Sequence, residues 1–250
     1  MQPVELDGSR GEGGGQIVRS ALTLSMLTGR PCLIHNLRAR RERPGLQPQH
    51  LTAVQAAAAV CDGRLEGAEL HSQTLRFEPA AVRPGDYRFD IGTAGATSLL
   101  LQTLYLPLAL TSTPSTLVLT GGTHVPLSPC FHYLDLAWQP LLAEMGLDME
   151  LLLERAGFYP PGGGELRALI EPVRQLTPLT RLERGDLLAI NGISAVARLP
   201  ASIAERQRTQ ALNRVQALAP SVAIELEFMP AVSPGSLLLL LAHFEHGQAC

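Results

Sequence analysis

Polar and apolar positions along the chain fall into two similar successions, which predict a repeated unit. The first opens with a short strand around Val4–Asp7 and a glycine-rich stretch, Gly11-Glu-Gly-Gly-Gly15. A helix follows from Gln16 to Leu27, with Ile17, Ala21, Leu24 and Leu27 expected on its inner face and Gly29 as its stop. Cys32–Asn36 reads as a strand and alanine-rich His50–Cys61 as a second helix. Strands near Arg64–Leu70 and Thr74–Glu78 close the unit. The second succession repeats the order. A strand at Tyr87–Ile91 leads into Gly92-Thr-Ala-Gly95 and an apolar helix from Ala96 to Leu110, expected to bend or end near Pro107. A strand at Ser115–Thr120 and a helix from Phe131 to Met145 come next. Closing strands at Met149–Leu153 and Glu165–Glu171 flank the loop from Gly157 to Gly164. Each unit is strand–helix–strand–helix–strand–strand, an α/β (α+β) arrangement in which helices pack on sheets.

The remainder reads as a smaller α/β module. Strands are predicted at Leu187–Leu199, Val222–Met229 and Leu237–Phe244, with an amphipathic helix over Ala201–Leu218 carrying Arg206, Arg208 and Arg214. A hydrophobic content of 46% over 250 residues is that of a globular chain with a sizeable core. The longest apolar run, Leu99–Leu110, is interrupted by Gln102 and Pro107 and is too short to cross a bilayer. The first residues lack a signal-peptide pattern, so a cytoplasmic location without membrane association is expected.

Net charge is −3, so any nucleic-acid site must be a local basic patch. All 20 basic residues are arginine, which rules out lysine nucleophiles and the lysine-dependent phosphate loop. Cys32, Cys61, Cys130 and Cys250 form no CxxC pair and are expected to be buried free thiols. Zinc at His243, His246 and Cys250 would have only three loosely spaced ligands and is disfavoured.

Three segments have chemical potential. Glycines between a strand and a helix, including Gly13 and Gly14, let backbone amides approach an anion, although a tight structural turn would use the same residues. Glu12 would repel phosphate unless a cation intervened, which makes it a metal-binding or positioning candidate. Arg38-Ala-Arg-Arg-Glu-Arg43 before Pro44 is a compact cationic loop suited to bidentate phosphate contacts, or else a solvated charged face. Gln47, Gln49 and His50 follow it as hydrogen-bonding groups. Gln102 lies within an apolar run and is read as a buried amide in need of partners, a core glutamine or a ligand contact. None of the seven histidines sits in a hydrolase-type motif.

Leu6-Asp-Gly-Ser-Arg-Gly-Glu-Gly-Gly-Gly-Gln-Ile-Val-Arg-Ser20, Arg43-Pro-Gly-Leu-Gln-Pro-Gln-His-Leu-Thr-Ala-Val54 and Tyr87-Arg-Phe-Asp-Ile-Gly-Thr-Ala-Gly95 occur in that order. With Gln102, Gly121-Gly-Thr123 and Gly157-Phe-Tyr-Pro-Pro-Gly-Gly-Gly164, they make the chain resemble the RNA 3′-terminal phosphate cyclase family from about residue 5 to about residue 172. The resemblance implies a large domain over residues 1–184, holding two complete repeats, and part of an inserted domain over 185–250. It implies use of ATP, with Mg or Mn, to convert an RNA 3′-phosphate into a 2′,3′-cyclic phosphate. An enzyme histidine is adenylylated, the adenylyl group moves to the RNA phosphate, and the 2′-hydroxyl displaces AMP. By position in the motifs, Gln102 matches the family's nucleotide-contacting glutamine, and Glu12, Arg19, Arg38, Arg41 and Gln49 match its active-site lining. The family's nucleophilic histidine lies beyond the inserted domain, so a truncated chain is expected and no histidine here is matched to that role. RNA ending in a 3′-phosphate is the expected partner; no DNA preference and no oligomeric state follow. Two other readings are a non-catalytic RNA-binding relative in ribosomal RNA processing and an enolpyruvyl-transferase-like protein of related repeated architecture.

Overall fold

The computed structural model describes residues 2–250, which form three four-stranded mixed sheets. In the first, β1 (Val4–Asp7) pairs in parallel with β2 (Cys32–His35), and β4 (Leu75–Glu78) lies antiparallel between β2 and β3 (Arg64–Glu66). In the second, β5 (Asp86–Asp90) is parallel to β6 (Ser115–Gly121), and β8 (Gly164–Ile170) is antiparallel to both β6 and β7 (Met149–Arg155). The two strand orders, β1-β2-β4-β3 and β5-β6-β8-β7, have the same sequence of parallel and antiparallel pairings, so the repeat read from the chain is a repeat of structure.

Helices α1 (Gln16–Thr28), α2 (Pro48–Cys61) and α3 (Thr97–Ala109) pack on one another; α1 also rests on the first sheet and α3 on the second. One continuous core joins the layers, from Val18, Leu22 and Ile34 through Val54 and Phe77 to Leu101, Leu117 and Leu166. The buried face of α1 is Val18, Arg19, Ala21, Leu22, Ser25 and Met26. This corrects the expected register: Leu24 is exposed. An 18/22/25 stripe meets both a sheet and a neighbouring helix, whereas periodicity alone gave no neighbour to orient it.

α3 ends at Ala109, two residues past Pro107, which sits buried in its last turn. A proline supplies no N–H to the carbonyl four residues earlier, that of Thr103. The Thr23 hydroxyl of α1 donates to that carbonyl at 2.9 Å, so the gap in one helix is filled by its neighbour. The helix expected over Phe131–Met145 is continuous but not uniform: α4 (Phe131–Tyr133), a π-helical turn (Leu134–Trp138) and α5 (Gln139–Glu144).

The third sheet is built from β9 (Leu187–Ala197), β10 (Ser221–Phe228), β11 (Gly235–Phe244) and β12 (Gly247–Ala249), in the order β10-β9-β11-β12. Helix α6 (Ala201–Val215) covers one face, with Ala204 and Ala211 inward. β12 was not anticipated; it is a three-residue strand formed by the tight return after Phe244. The opposite face meets the π-turn region, where Leu239 and Leu241 pack with Ala137. Gln248 also donates to the Leu136 carbonyl at 2.5 Å. None of the described helices is long and apolar enough to cross a membrane.

Candidate functional site

The site lies on the seam between the two repeats. β1 delivers the chain into the turn Asp7–Gly15, and Gly11 and Gly13 take left-handed backbone angles that favour glycine. Gly15 opens α1 where there is no room for a side chain. A Cβ there would collide with His50 Nε2 and stand 3.0 Å from Arg19 Nη1.

His50 is set by the start of α2. Gln47 is the N-cap and Pro48 follows at the first helical position. The Gln47 backbone N–H donates to His50 Nδ1 at 3.3 Å. Its lone pair on Nδ1 is thereby used, so neutral His50 carries its proton on Nε2, the nitrogen that faces Gly15. Burial, then the charges of Arg38 and Arg19, push its pKa down to about 4. His50 is a neutral donor in a cationic setting.

Arg19 is nine-tenths buried, one turn into α1. Its Nη2 donates to Gln16 Oε1 at 2.9 Å, while its Nε is buried with no partner. Burial lowers its pKa and Glu12 partly offsets this. A buried guanidinium nitrogen without an acceptor is uncommon and needs an explanation. Arg19 lines a groove of about 260 Å³ between α1 and α3, together with Gln16, Ser20, Thr23, Gln102 and Tyr105. Gln102 is therefore not the buried amide expected from its apolar flanks. It is exposed, on the side of α3 that faces the groove.

The arginine loop folds over the glycine turn. Arg38, at positive φ, donates from Nη1 to the carbonyls of Arg43 (2.6 Å) and Gly45 (3.0 Å), so it braces its own loop. Burial and the neighbouring Arg41 lower its pKa. Arg41 reaches the exposed Glu12 carboxylate at 3.1 Å, and that carboxylate lies over Gly14. Gln49 bridges the repeats: its Oε1 accepts the Ala96 N–H at 3.0 Å, just before α3. Gly95 packs on the Gln49 stem, where a Cβ would come within 2.9 Å. Glu12, Gly13, Gly14, Arg19, Arg38, Arg41 and Gln49 thus gather around one turn, and Gln102 enters from the second repeat across the groove.

The sequence profile of the RNA 3′-terminal phosphate cyclase family matches residues 10–241. The chain belongs to that family. It is 52% identical to an RNA 3′-terminal phosphate cyclase of Pseudomonas fluorescens over 247 residues, covering 97% of this chain and 70% of the relative. A cyclase of Ralstonia nicotianae is 49% identical, covering 98% of this chain and 71% of the relative. One from Caldivirga maquilingensis is 44% identical, with 98% and 71% covered. These relatives are named as enzymes.

Two features of this candidate site could not be seen in the motifs. His50 was noted only as a donor after the arginine loop; its fixed tautomer depends on the cap at Gln47. The exposure of Gln102 depends on which side of α3 the α1 groove occupies. No group of three or more His, Cys, Asp or Glu that could hold a metal occurs among the described residues. His243 hydrogen-bonds to Asn191 at 3.3 Å. All four cysteines are free, but only Cys32 and Cys61 are buried; Cys130 is half-buried and Cys250, the last residue, is exposed.

Proposed function

We propose that this chain receives the 3′-phosphate end of RNA at the repeat seam and serves its ATP-dependent conversion to a 2′,3′-cyclic phosphate. The observation that carries this reading is Arg19: a buried cation that lines the groove between α1 and α3 and whose Nη1 lies beside Gly15, the last residue of the glycine turn. In a low-dielectric setting such a guanidinium favours an anionic ligand far more than an exposed one would. Arg41 and the Nε2–H of His50 add donors on the same side, and Gln49 and Gln102 give polar contacts from the two repeats. Glu12 is the carboxylate at the turn. It fits an ion that arrives with a nucleotide, because Mg²⁺ takes one or two carboxylates and completes its shell with phosphate oxygens and water. Such an ion would neutralise phosphate charge once Glu12 parts from Arg41.

The second reading is an RNA-binding relative without cyclase chemistry, which would keep every feature of this turn; His50, which presents an N–H and not a lone pair, serves as a donor in either reading. Incubating the protein with labelled ATP and Mg²⁺ or Mn²⁺ separates the two: acid-labile label on the chain supports the cyclase. Binding of a 3′-phosphorylated oligonucleotide without any label supports the second reading. Equal affinity for 3′-phosphate and 3′-hydroxyl ends refutes recognition at Arg19.

A further inference from the structure

Away from the groove, four polar side chains form a single line across the contact between the β9–β12 module and the second repeat. Thr123 Oγ lies 2.7 Å from His124 Nδ1; His124 Nε2 lies 2.8 Å from His132 Nδ1; His132 Nε2 lies 3.0 Å from Glu227 Oε2. Thr123, His124 and His132 are buried, and Glu227, on β10, is half-exposed. Phe158 stacks on His124 at 5.2 Å and closes the line from one side. At the inner end, Thr123 Oγ also accepts the Gly157 N–H at 2.9 Å.

The donors and acceptors leave one arrangement for two neutral imidazoles. An ionised Glu227 only accepts, so His132 donates from Nε2 and its Nδ1 must accept. His124 then donates from Nε2 and accepts on Nδ1 from the Thr123 hydroxyl. Every bond runs outward, toward the carboxylate. Adding one proton to His132 reverses both inner bonds: His132 Nδ1 becomes a donor, His124 changes tautomer, and Thr123 Oγ becomes an acceptor whose own proton has lost its partner. The charge stays at the outer ring while the polarity change reaches the inner threonine. His124 is held neutral down to about 3 by burial and by His132, and Glu227 is held ionised by its bond to His132. The other titratable groups facing the line are Asp135 and Cys130, on either side of His132; the pKa of each is raised by burial.

Thr123 ends the turn that backs the repeat seam. The Gly122 carbonyl accepts the Thr97 N–H (2.9 Å) and hydroxyl (3.1 Å), and the Gly122 N–H donates to Gly95 O at 2.8 Å. Gly95 and Ala96 are the residues held by Gln49. We propose that Glu227 is a positioning residue of the RNA-end site, acting through His132, His124 and Thr123 as a directional hydrogen-bond wire that fixes the Gly121–Thr123 turn. The positioning role rests on the function proposed above; the wire itself does not.

Histidine ring-nitrogen and backbone amide NMR on the intact chain tests the wire. Both His124 and His132 are expected as Nε2–H tautomers at pH 8. Glu227→Gln, at the accessible end, removes the ionised acceptor that orients the line, so the ring nitrogens of both histidines and the Gly157 amide should shift together. His132→Phe should shift His124 and Gly157 in the same way. An Nδ1–H tautomer on either ring, or His124 and Gly157 signals unmoved by Glu227→Gln, would each overturn the wire. The positioning role is read from the pH profile of affinity for a 3′-phosphorylated oligonucleotide. Its shape should change with Glu227→Gln, and a profile indifferent to that change refutes positioning. An oligonucleotide that fails to bind at any pH removes the RNA-end reading and the positioning role, while the NMR result still judges the wire.

Discussion

Replacing Thr23 with valine keeps the shape of the side chain and removes one hydroxyl. The loss falls on the Thr103 carbonyl, which is buried and has no N–H available four residues on, because that residue is Pro107. Leaving a buried acceptor unsatisfied costs about 1–3 kcal/mol. In a chain of this size each kcal/mol moves the melting temperature by about 2–4 °C, so Thr23→Val should melt lower by roughly 2–12 °C. The Arg19 carbonyl, also within 3.0 Å of the Thr23 hydroxyl, adds little to this cost, since it can accept the helical N–H of residue 23. Pro107→Ala restores an N–H to α3. In that background Thr23→Val should cost less than about 0.5 kcal/mol, and the difference between the two backgrounds isolates the carbonyl from any cavity left by the proline. The assay is urea unfolding of the four proteins. Equal costs of Thr23→Val in both backgrounds would refute the assignment of Thr23 as the missing donor.

Gly15→Ala should leave far-UV circular dichroism unchanged and weaken binding of 3′-phosphorylated RNA by about tenfold or more, because the new methyl displaces His50 or Arg19 from the turn; titration with labelled oligonucleotide reads it. His50 and His124 have folded pKa values of about 4 and about 3, below the unfolded value near 6.5. The unfolded chain therefore binds protons first, and each histidine should remove about 2 kcal/mol of stability as pH falls from 7 to 5. His50→Gln should remove about half of that dependence in denaturant titrations, leaving the share of His124, and an unchanged slope would contradict a buried neutral His50. Arg41→Gln breaks an exposed ion pair with Glu12 and should change stability by less than about 1 kcal/mol. The same change should reduce the salt dependence of RNA binding by about one counterion, measured from 50 to 200 mM salt.

Local chemistry made much of this legible in the sequence. Glycines between a strand and a helix announced the turn, and two runs of matching pattern announced two matching sheets. The register of α1 was not legible, because Leu24 and Leu22 are equally apolar and only the sheet and the helices packed on α1 decide which is buried. Gln102 misled for the complementary reason: apolar flanks describe a helix's other faces, not the one that borders a groove. The Thr123–Glu227 line joins positions more than a hundred residues apart, and nothing in either segment names the other. The π turn breaks no composition rule and leaves no periodic trace over its five residues.

Gln49 reaching across to the N–H before α3 gives the duplication of the unit a biochemical meaning. The first copy kept the arginines and the acid at its glycine turn, while the matching turn of the second, Gly92-Thr-Ala-Gly95, carries none and serves as the wall against which Gln49 is braced. The two turns have diverged, the first charged and the second a buttress, so neither half is a small version of the whole. Fragments cut in the connector between Glu78 and Asp86 should each lack the groove, and it should return only when the two are mixed.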